Sequence, residues 1–212
     1  MNVKIRNEME EDFREVEELT REAFWNLYFP GCNEHYLVHS MRNHQDFIRE
    51  MDFVAEYRGK IVGNIMYTKA WLINENGKEE EIISFGPLSV LPKYQRRGIG
   101  TALVNHTKEI ALKKGTKGIV IYGDPHNYCK HGFKSAKDLN ISDMNGEYPH
   151  GMLALELEEG AFGGDRWKFR YSNAFNVNEQ EVEIFDKTFE IKEKGYRYSQ
   201  DIFSIAFRSY VR

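Results

Sequence analysis

The stretch Gly86-Pro87-Leu88-Ser89-Val90-Leu91-Pro92-Lys93-Tyr94-Gln95-Arg96-Arg97-Gly98-Ile99-Gly100-Thr101-Ala102-Leu103 decides how the whole chain reads. An apolar strand-like run stops at a proline, and a glycine-spaced loop then opens a helix. The first N–H groups of a helix have no partner within it, and the positive end of the helix dipole points the same way. Glycines let the backbone approach a phosphate closely, and Arg96 and Arg97 add charge there. From Lys93 to Lys117 there are seven basic residues and one acidic, in a chain of formal net charge −4. That local excess suits an anionic ligand. Two phosphate-binding classes are excluded by spelling: GxxxxGK[ST] is absent, and a dinucleotide fingerprint needs a third glycine where Leu103 stands.

Upstream, the apolar period is two. Phe53, Ala55 and Tyr57 alternate with polar residues, Arg58-Gly59-Lys60 turns, and Ile61 to Ile73 continues as a strand. Asn76-Gly77 suits a turn with positive φ, so a third antiparallel strand is expected from about Glu80 to Val90. Earlier still, Val3 to Arg6 reads as a strand, Glu10 to Phe24 as an amphipathic helix, and Glu34 to Arg42 as a second helix after Pro30-Gly31. Between Glu8 and Glu22 there are eight acidic and two basic residues, a pattern expected of a solvated helix face. Downstream, Ile99, Leu103, Ile110 and Ala111 mark a helix from Arg97 to Lys114, stopped by Gly115. The apolar Ile119-Val120-Ile121 then suits an internal strand parallel to its predecessor, with that helix as the crossover. A short helix at Pro125–His131 and a strand near Met152 to Leu157 follow. The expected class is a mixed α/β fold, a mostly antiparallel sheet with one parallel pair and flanking helices.

At 212 residues, 41% hydrophobic, the chain can bury one core of ordinary size. Residues 1–160 are expected to be that core. From Phe162 to Arg212 there are 12 aromatic residues in 51, which reads as a C-terminal extension (161–212) docked on the core, with helices at Glu179–Lys187 and Gln200–Tyr210. Whether it covers the active site, pairs two chains as a homodimer or completes the core stays open. The acidic net charge argues against a nonspecific nucleic-acid binder. With no apolar run near the ~20 residues of a membrane span and no apolar leader at the start, no membrane association and a cytoplasmic location are expected. Cys32 and Cys129 lie far apart without a ligand grid, so free thiols and no metal are expected.

Gln95-Arg96-Arg97-Gly98-Ile99-Gly100, following Val90-Leu91-Pro92, closely resembles the Q/R-x-x-G-x-G/A signature of the GNAT superfamily of acetyl-CoA-dependent N-acetyltransferases. Tyr128-Cys129-Lys130-His131-Gly132-Phe133 is similar to that family's closing Y-x-x-x-G-F element. The resemblance covers about residues 3 to 157, and Gly123-Asp124-Pro125 resembles a subgroup of predicted acetyltransferases. It implies a sheet that splays between its fourth and fifth strands and acetyl-CoA as cosubstrate. Main-chain groups of Leu88, Ser89 and Val90 would then bind the pantetheine arm, and one amide could polarise the thioester. The N–H groups of Gln95, Arg96, Arg97, Gly98, Ile99, Gly100 and Thr101 would hold the pyrophosphate. Tyr128 would be the general acid that protonates the departing thiolate after direct attack by an amine. The acceptor is expected to be a small-molecule or peptide amine.

Each role has a plainer rival. An unselected tyrosine is more often a packing residue than an acid, and Cys129, with His126 and His131 available as bases, sits on a short helix where adjacent residues point apart, so a cysteine-dependent mechanism is the lesser alternative. His35 and His39 stand at a metal-binding spacing without a third ligand, and His106 reads as a packed histidine. The carboxylate that some family members place on the fourth strand as general base falls on Ser84 here, so that carry-over fails. Glu81 and Glu34 are the substitutes. The rival function is a non-catalytic CoA-binding sensor or partner-binding module.

Overall fold

The computed structural model describes residues 1–212. Its centre is one mixed sheet. β1 (Lys4–Asn7), β2 (Phe53–Tyr57), β3 (Lys60–Asn74) and β4 (Glu79–Val90) pair antiparallel in that order, and the expected Asn76-Gly77 turn joins the last two, with Gly77 at φ 77°. β5 (Gly118–Tyr122) then lies parallel to β4, in register at Ile83 and Ile119. The crossover is α3 (Ile99–Lys113). β8 (Met152–Glu156) pairs antiparallel with β5, and the two-residue β6 (Lys134–Ser135) and β7 (Ile141–Ser142) trim the edges.

Two apolar layers cover the sheet. α3 sends Ile99, Leu103, Val104 and Ala111 into one face, against Phe53, Ile83, Phe85 and Ile121. α1 (Phe13–Phe24) and α2 (Glu34–Met41) send Val16, Leu19, Val38 and Met41 into the other, against Val54, Ile61 and Met66. α1 departs from the solvated face expected of so acidic a helix: it buries Glu17 and Arg21. Both find partners distant in sequence. Arg42 donates from Nη1 to Glu17 at 2.9 Å and grips Glu8 through Nε and Nη2 at 3.0 and 2.8 Å. Burial, with the neighbouring Glu8 carboxylate, pushes the adjoining Asp52 carboxyl up, and it accepts from Asn64 Nδ2 at 3.1 Å. Removing one member of a buried ion pair strands the others. Arg42→Ala is therefore expected to lose about 3–5 kcal/mol of unfolding free energy, read from urea melts. A loss under about 1 kcal/mol would mean the carboxylates are hydrated once the cation is gone.

The aromatic extension enters the sheet itself. Trp167-Lys168-Phe169-Arg170-Tyr171 forms β9, paired antiparallel with β3 from Ala70 to Asn74, burying Trp167 and Phe169 while Lys168 faces out. α5 (Glu179–Asp186) follows, capped by the Asn178 side chain on the N–H groups of Gln180 and Glu181, and packs near α2. There Asp186 Oδ1 accepts from Arg21 Nε at 2.7 Å and lies 3.2 Å from His35 Nε2. α6 (Tyr198–Phe207) ends the chain. No helix is long and apolar enough to cross a membrane.

Candidate active site

β4 bends before it reaches the glycine loop. Gly86 and Pro87 together oppose Met66 of β3, because Phe85 pairs with Tyr67 and Leu88 already pairs with Ile65. This bulge turns β4 away from β5, as bulges do beside functional sites. Leu88, Ser89 and Val90 still pair with Ile65, Asn64 and Gly63 on the β3 side, but have no strand on the side facing β5. The Leu91 N–H donates to the Val62 carbonyl at 3.0 Å, and hydrogen-bonded pairs alternate along the ladder, so Leu88 and Val90 turn their main-chain groups to the gap. The Ser89 side chain is fully buried and shares a 3.0 Å hydrogen bond with Thr20 on α1, and its main chain is turned to Asn64 of β3, so Ser89 holds the strand in place and does not face the gap.

The loop after Pro92 concentrates unpaired donors. Arg96 has φ 58° and Gly98 φ 84°, two left-handed residues that alternate with Gln95 and Arg97. Alternation of that kind turns successive N–H groups toward one concavity. The first N–H of α3 with a main-chain acceptor is that of Ala102, donating to the Gly98 carbonyl at 2.9 Å. The six N–H groups from Arg96 to Thr101 have none in the chain. The Gln95 side chain instead braces the loop, Nε2 donating to the Val90 carbonyl at 3.0 Å. Lys93, Arg96 and Arg97 are exposed and lack a carboxylate within salt-bridge distance. Ile99 is buried in the core, so its side chain anchors the loop while its N–H stays at the helix start.

Tyr128 closes the short helix α4 (Pro125–Tyr128), whose N-cap Asp124 accepts from the His126 N–H at 2.9 Å. Its ring lies 5.6 Å from Phe85 and 5.9 Å from Phe133. A Cβ at Gly123 would run into that ring, so the glycine is what lets Tyr128 sit there. Burial first, then the nearby Tyr28 and Asp124, raise the Tyr128 phenol above its ordinary range. Burial, Glu34 and Asp124 raise Tyr28 to about 12. Glu34 keeps part of its surface, yet its carboxyl is enclosed enough that desolvation pushes it up to about 7, against the lowering effect of the Asn33 N–H that donates to it.

The two substitute bases separate clearly. Glu81 is exposed on β4 and paired with Lys69 at 3.1 Å. Glu34 shares an electrostatic environment with Tyr28, which in turn is coupled to Tyr128. Ser84 is buried opposite Thr68 in the β3–β4 ladder. His35 lies between Cys32 Sγ, 3.3 Å from Nδ1, and Asp186, and His39 Nδ1 meets Glu17 at 2.9 Å. His106 packs edge-on against Phe53. Cys32 is buried, and its thiol is raised by desolvation and by Glu34. Tyr28 was not singled out by the sequence, because one tyrosine in the aromatic run Phe24-Trp25-Asn26-Leu27-Tyr28-Phe29 carries no local signal of a shared site, and Asp124 was noted only as part of Gly123-Asp124-Pro125.

The chain is similar to the uncharacterized N-acetyltransferase YjhQ of Escherichia coli K12, 32% identical over 123 residues, 58% of this chain and 63% of YjhQ. The match thus spans just under two thirds of that protein. Against the uncharacterized N-acetyltransferase YhbS of the same strain it is 25% identical over 159 residues, 73% of this chain and 90% of YhbS. Among solved structures, E. coli YhbS in complex with CoA superposes with a TM-score of 0.71 at 22% identity, over 84% of this chain and 93% of that one. A GNAT family acetyltransferase from Brucella melitensis in complex with acetyl-CoA gives 0.65 at 25% identity, over 82% and 98%. The family model described as the acetyltransferase (GNAT) family matches residues 17–133, more than half of the chain. The parallel β4–β5 pair, the glycine loop opening α3 and this match agree: the protein belongs to the GNAT family of acetyltransferases.

Proposed function

We propose that the protein moves an acetyl group from acetyl-CoA to a primary amine by direct attack, without a covalent enzyme intermediate. The observation that carries this reading is the run of unpaired N–H groups from Arg96 to Thr101 at the end of a β4 edge left open toward β5. Such an edge suits an extended amide-bearing arm, and such a loop suits a pyrophosphate. Residues 1–160 would form the acetyl-CoA-binding core, with the outward main-chain groups of Leu88 and Val90 along the pantetheine and Ser89 holding that edge against β3. Gln95, Arg96, Arg97, Gly98, Ile99, Gly100 and Thr101 would surround the phosphates, and residues 161–212 would complete the sheet and the acceptor side.

In the chemical step the substrate ammonium first gives one proton to the Glu34 carboxylate, and the freed amine nitrogen forms a bond to the thioester carbonyl carbon. The carbon–sulfur bond then breaks, the departing thiolate takes a proton from the Tyr128 hydroxyl, and the second proton shed by the new amide nitrogen restores the phenol. A free alkylamine, with a pKa near ~10.4, is almost wholly protonated at pH 7, which is why a base is required. The raised phenol keeps its proton at rest, so Tyr128 is a donor throughout the neutral range.

Calorimetry with acetyl-CoA, joined to thiol release across a panel of amines and peptides on the same preparation, tests the reading. Binding with amine-dependent release is the expected result. Binding without release across the panel would favour a non-catalytic CoA-binding sensor, and absence of binding would remove the cosubstrate site.

A further inference from the structure

α6 crosses from one wall of the acceptor side to the other. At its start, Ser199 Oγ donates to the Leu27 carbonyl at 2.7 Å and Gln200 Nε2 to the Asn26 carbonyl at 3.0 Å, both in the α1–α2 connection. One turn later the Phe203 ring lies 4.4 Å from that of Tyr28. Beyond its end, the Ser209 carbonyl accepts from the His150 N–H at 2.8 Å, and the Val211 N–H donates to the Tyr148 carbonyl at 2.8 Å. Those residues lead into Gly151, whose carbonyl accepts from the Gly123 N–H at 2.8 Å, beside Asp124 and the Tyr128 ring. The helix is thus tied at both ends across the opening.

An aromatic floor lies on the same side of the sheet. Tyr122, just after the buried part of β5, is 6.0 Å from Tyr171, and Tyr171 is 5.8 Å from Phe175. The Phe175 ring comes within 3.2 Å of where a Cβ on Gly86 would stand, directly at the bulge of β4. Tyr122 and Tyr171 stay 48% and 42% exposed, although each has aromatic neighbours that could have covered it. Half-open rings suit a flat apolar body bearing a cation, because offset rings stack and ring faces attract ammonium groups.

We propose that α6 and this floor enclose the acceptor site, so that the acceptor is a small primary amine carrying an aromatic group, and peptide N-termini and protein lysines are excluded. The inference rests on the transferase reading above and narrows it. An ammonium near Glu34 would place its nitrogen toward Tyr128 while its aromatic body lies over Tyr171 and Phe175. A peptide needs about 3.3–3.6 Å of open path for each further residue, and α6 with its two tethers occupies the way out.

The test is thiol release by the full-length protein with phenethylamine, propylamine and a lysine-containing hexapeptide with a free N-terminus. A kcat/KM for phenethylamine about tenfold or more above that for propylamine is expected, since an aromatic body filling an apolar pocket supplies discrimination of that order. The hexapeptide should show no release. Phe203→Ala and Tyr171→Ala should each narrow the phenethylamine-to-propylamine ratio, with acetyl-CoA binding by calorimetry certifying that each variant is folded. Release with the hexapeptide at or above the phenethylamine rate, or an unchanged ratio in both variants, would overturn the enclosed site and leave the transferase standing. Bound acetyl-CoA with no release for any acceptor would remove the transferase reading and this inference together.

Discussion

Tyr128→Phe is expected to lower kcat for amine acetylation by about 10²–10⁴-fold while acetyl-CoA binds with unchanged affinity, the loss usual for one general acid. The variant removes a single oxygen. The ring contacts to Phe85 and Phe133 persist, and so does the space beside Gly123, so the apex of the gap keeps its shape. What disappears is the Tyr128 hydroxyl. Desolvation raises the phenol, which at first sight makes it a poor donor. The same low-dielectric surroundings also raise the basicity of a thiolate leaving into them, so the proton still has a destination. Thiol release under saturating amine and calorimetry with acetyl-CoA separate the two effects. Equal turnover and an equal pH profile in the variant would take the acid role away from Tyr128.

Glu34→Gln is expected to reduce kcat/KM for amines by about 10²–10⁴-fold and to erase a rising limb of the pH profile. A base must be unprotonated to act. With its pKa pushed up to about 7, Glu34 gains that form as pH rises, so wild-type kcat/KM, expressed per free amine to remove the acceptor's own titration, climbs between pH 6 and 8, and the variant on the same basis stays flat there. Stability changes in the opposite sense. A carboxyl whose folded pKa lies above its unfolded value of 4.5 contributes stability fully below 4.5, and that contribution is lost as pH rises through about 7. Glu34→Gln should therefore gain on the wild type in urea midpoints between pH 5 and pH 8. Identical pH profiles in the two proteins would move the base elsewhere.

Much of this architecture was legible locally. The period-two runs in Phe53–Tyr57 and Ile61–Ile73, the Asn76-Gly77 turn and the helix from Ile99 all form where patterning places them, within a residue or two. β9 was passed over, although Trp167-Lys168-Phe169-Arg170-Tyr171 alternates cleanly; its aromatic surroundings suggested docking, whereas it joins the sheet beside β3. The acidic first helix misled for a different reason. Its Glu17 and Arg21 are buried because their partners, Arg42 and Asp186, arrive from other elements, and no local count of charge reveals that.

The sequence by itself determined the strand order through the parallel crossover, the glycine loop and the position of Tyr128, because each depends on residues within a few positions of one another. Periodicity, turn chemistry and helix starts are short-range physics. Only the tertiary structure decided which carboxyl is desolvated and which aromatic rings come together. Glu34 rather than Glu81 is set apart by desolvation, which depends on everything packed around the carboxyl, and the ring pairs Tyr28–Phe203 and Tyr122–Tyr171 each join segments far apart in the chain. Dielectric environment and shared cavities are properties of the folded chain, so they have no signature in a linear stretch.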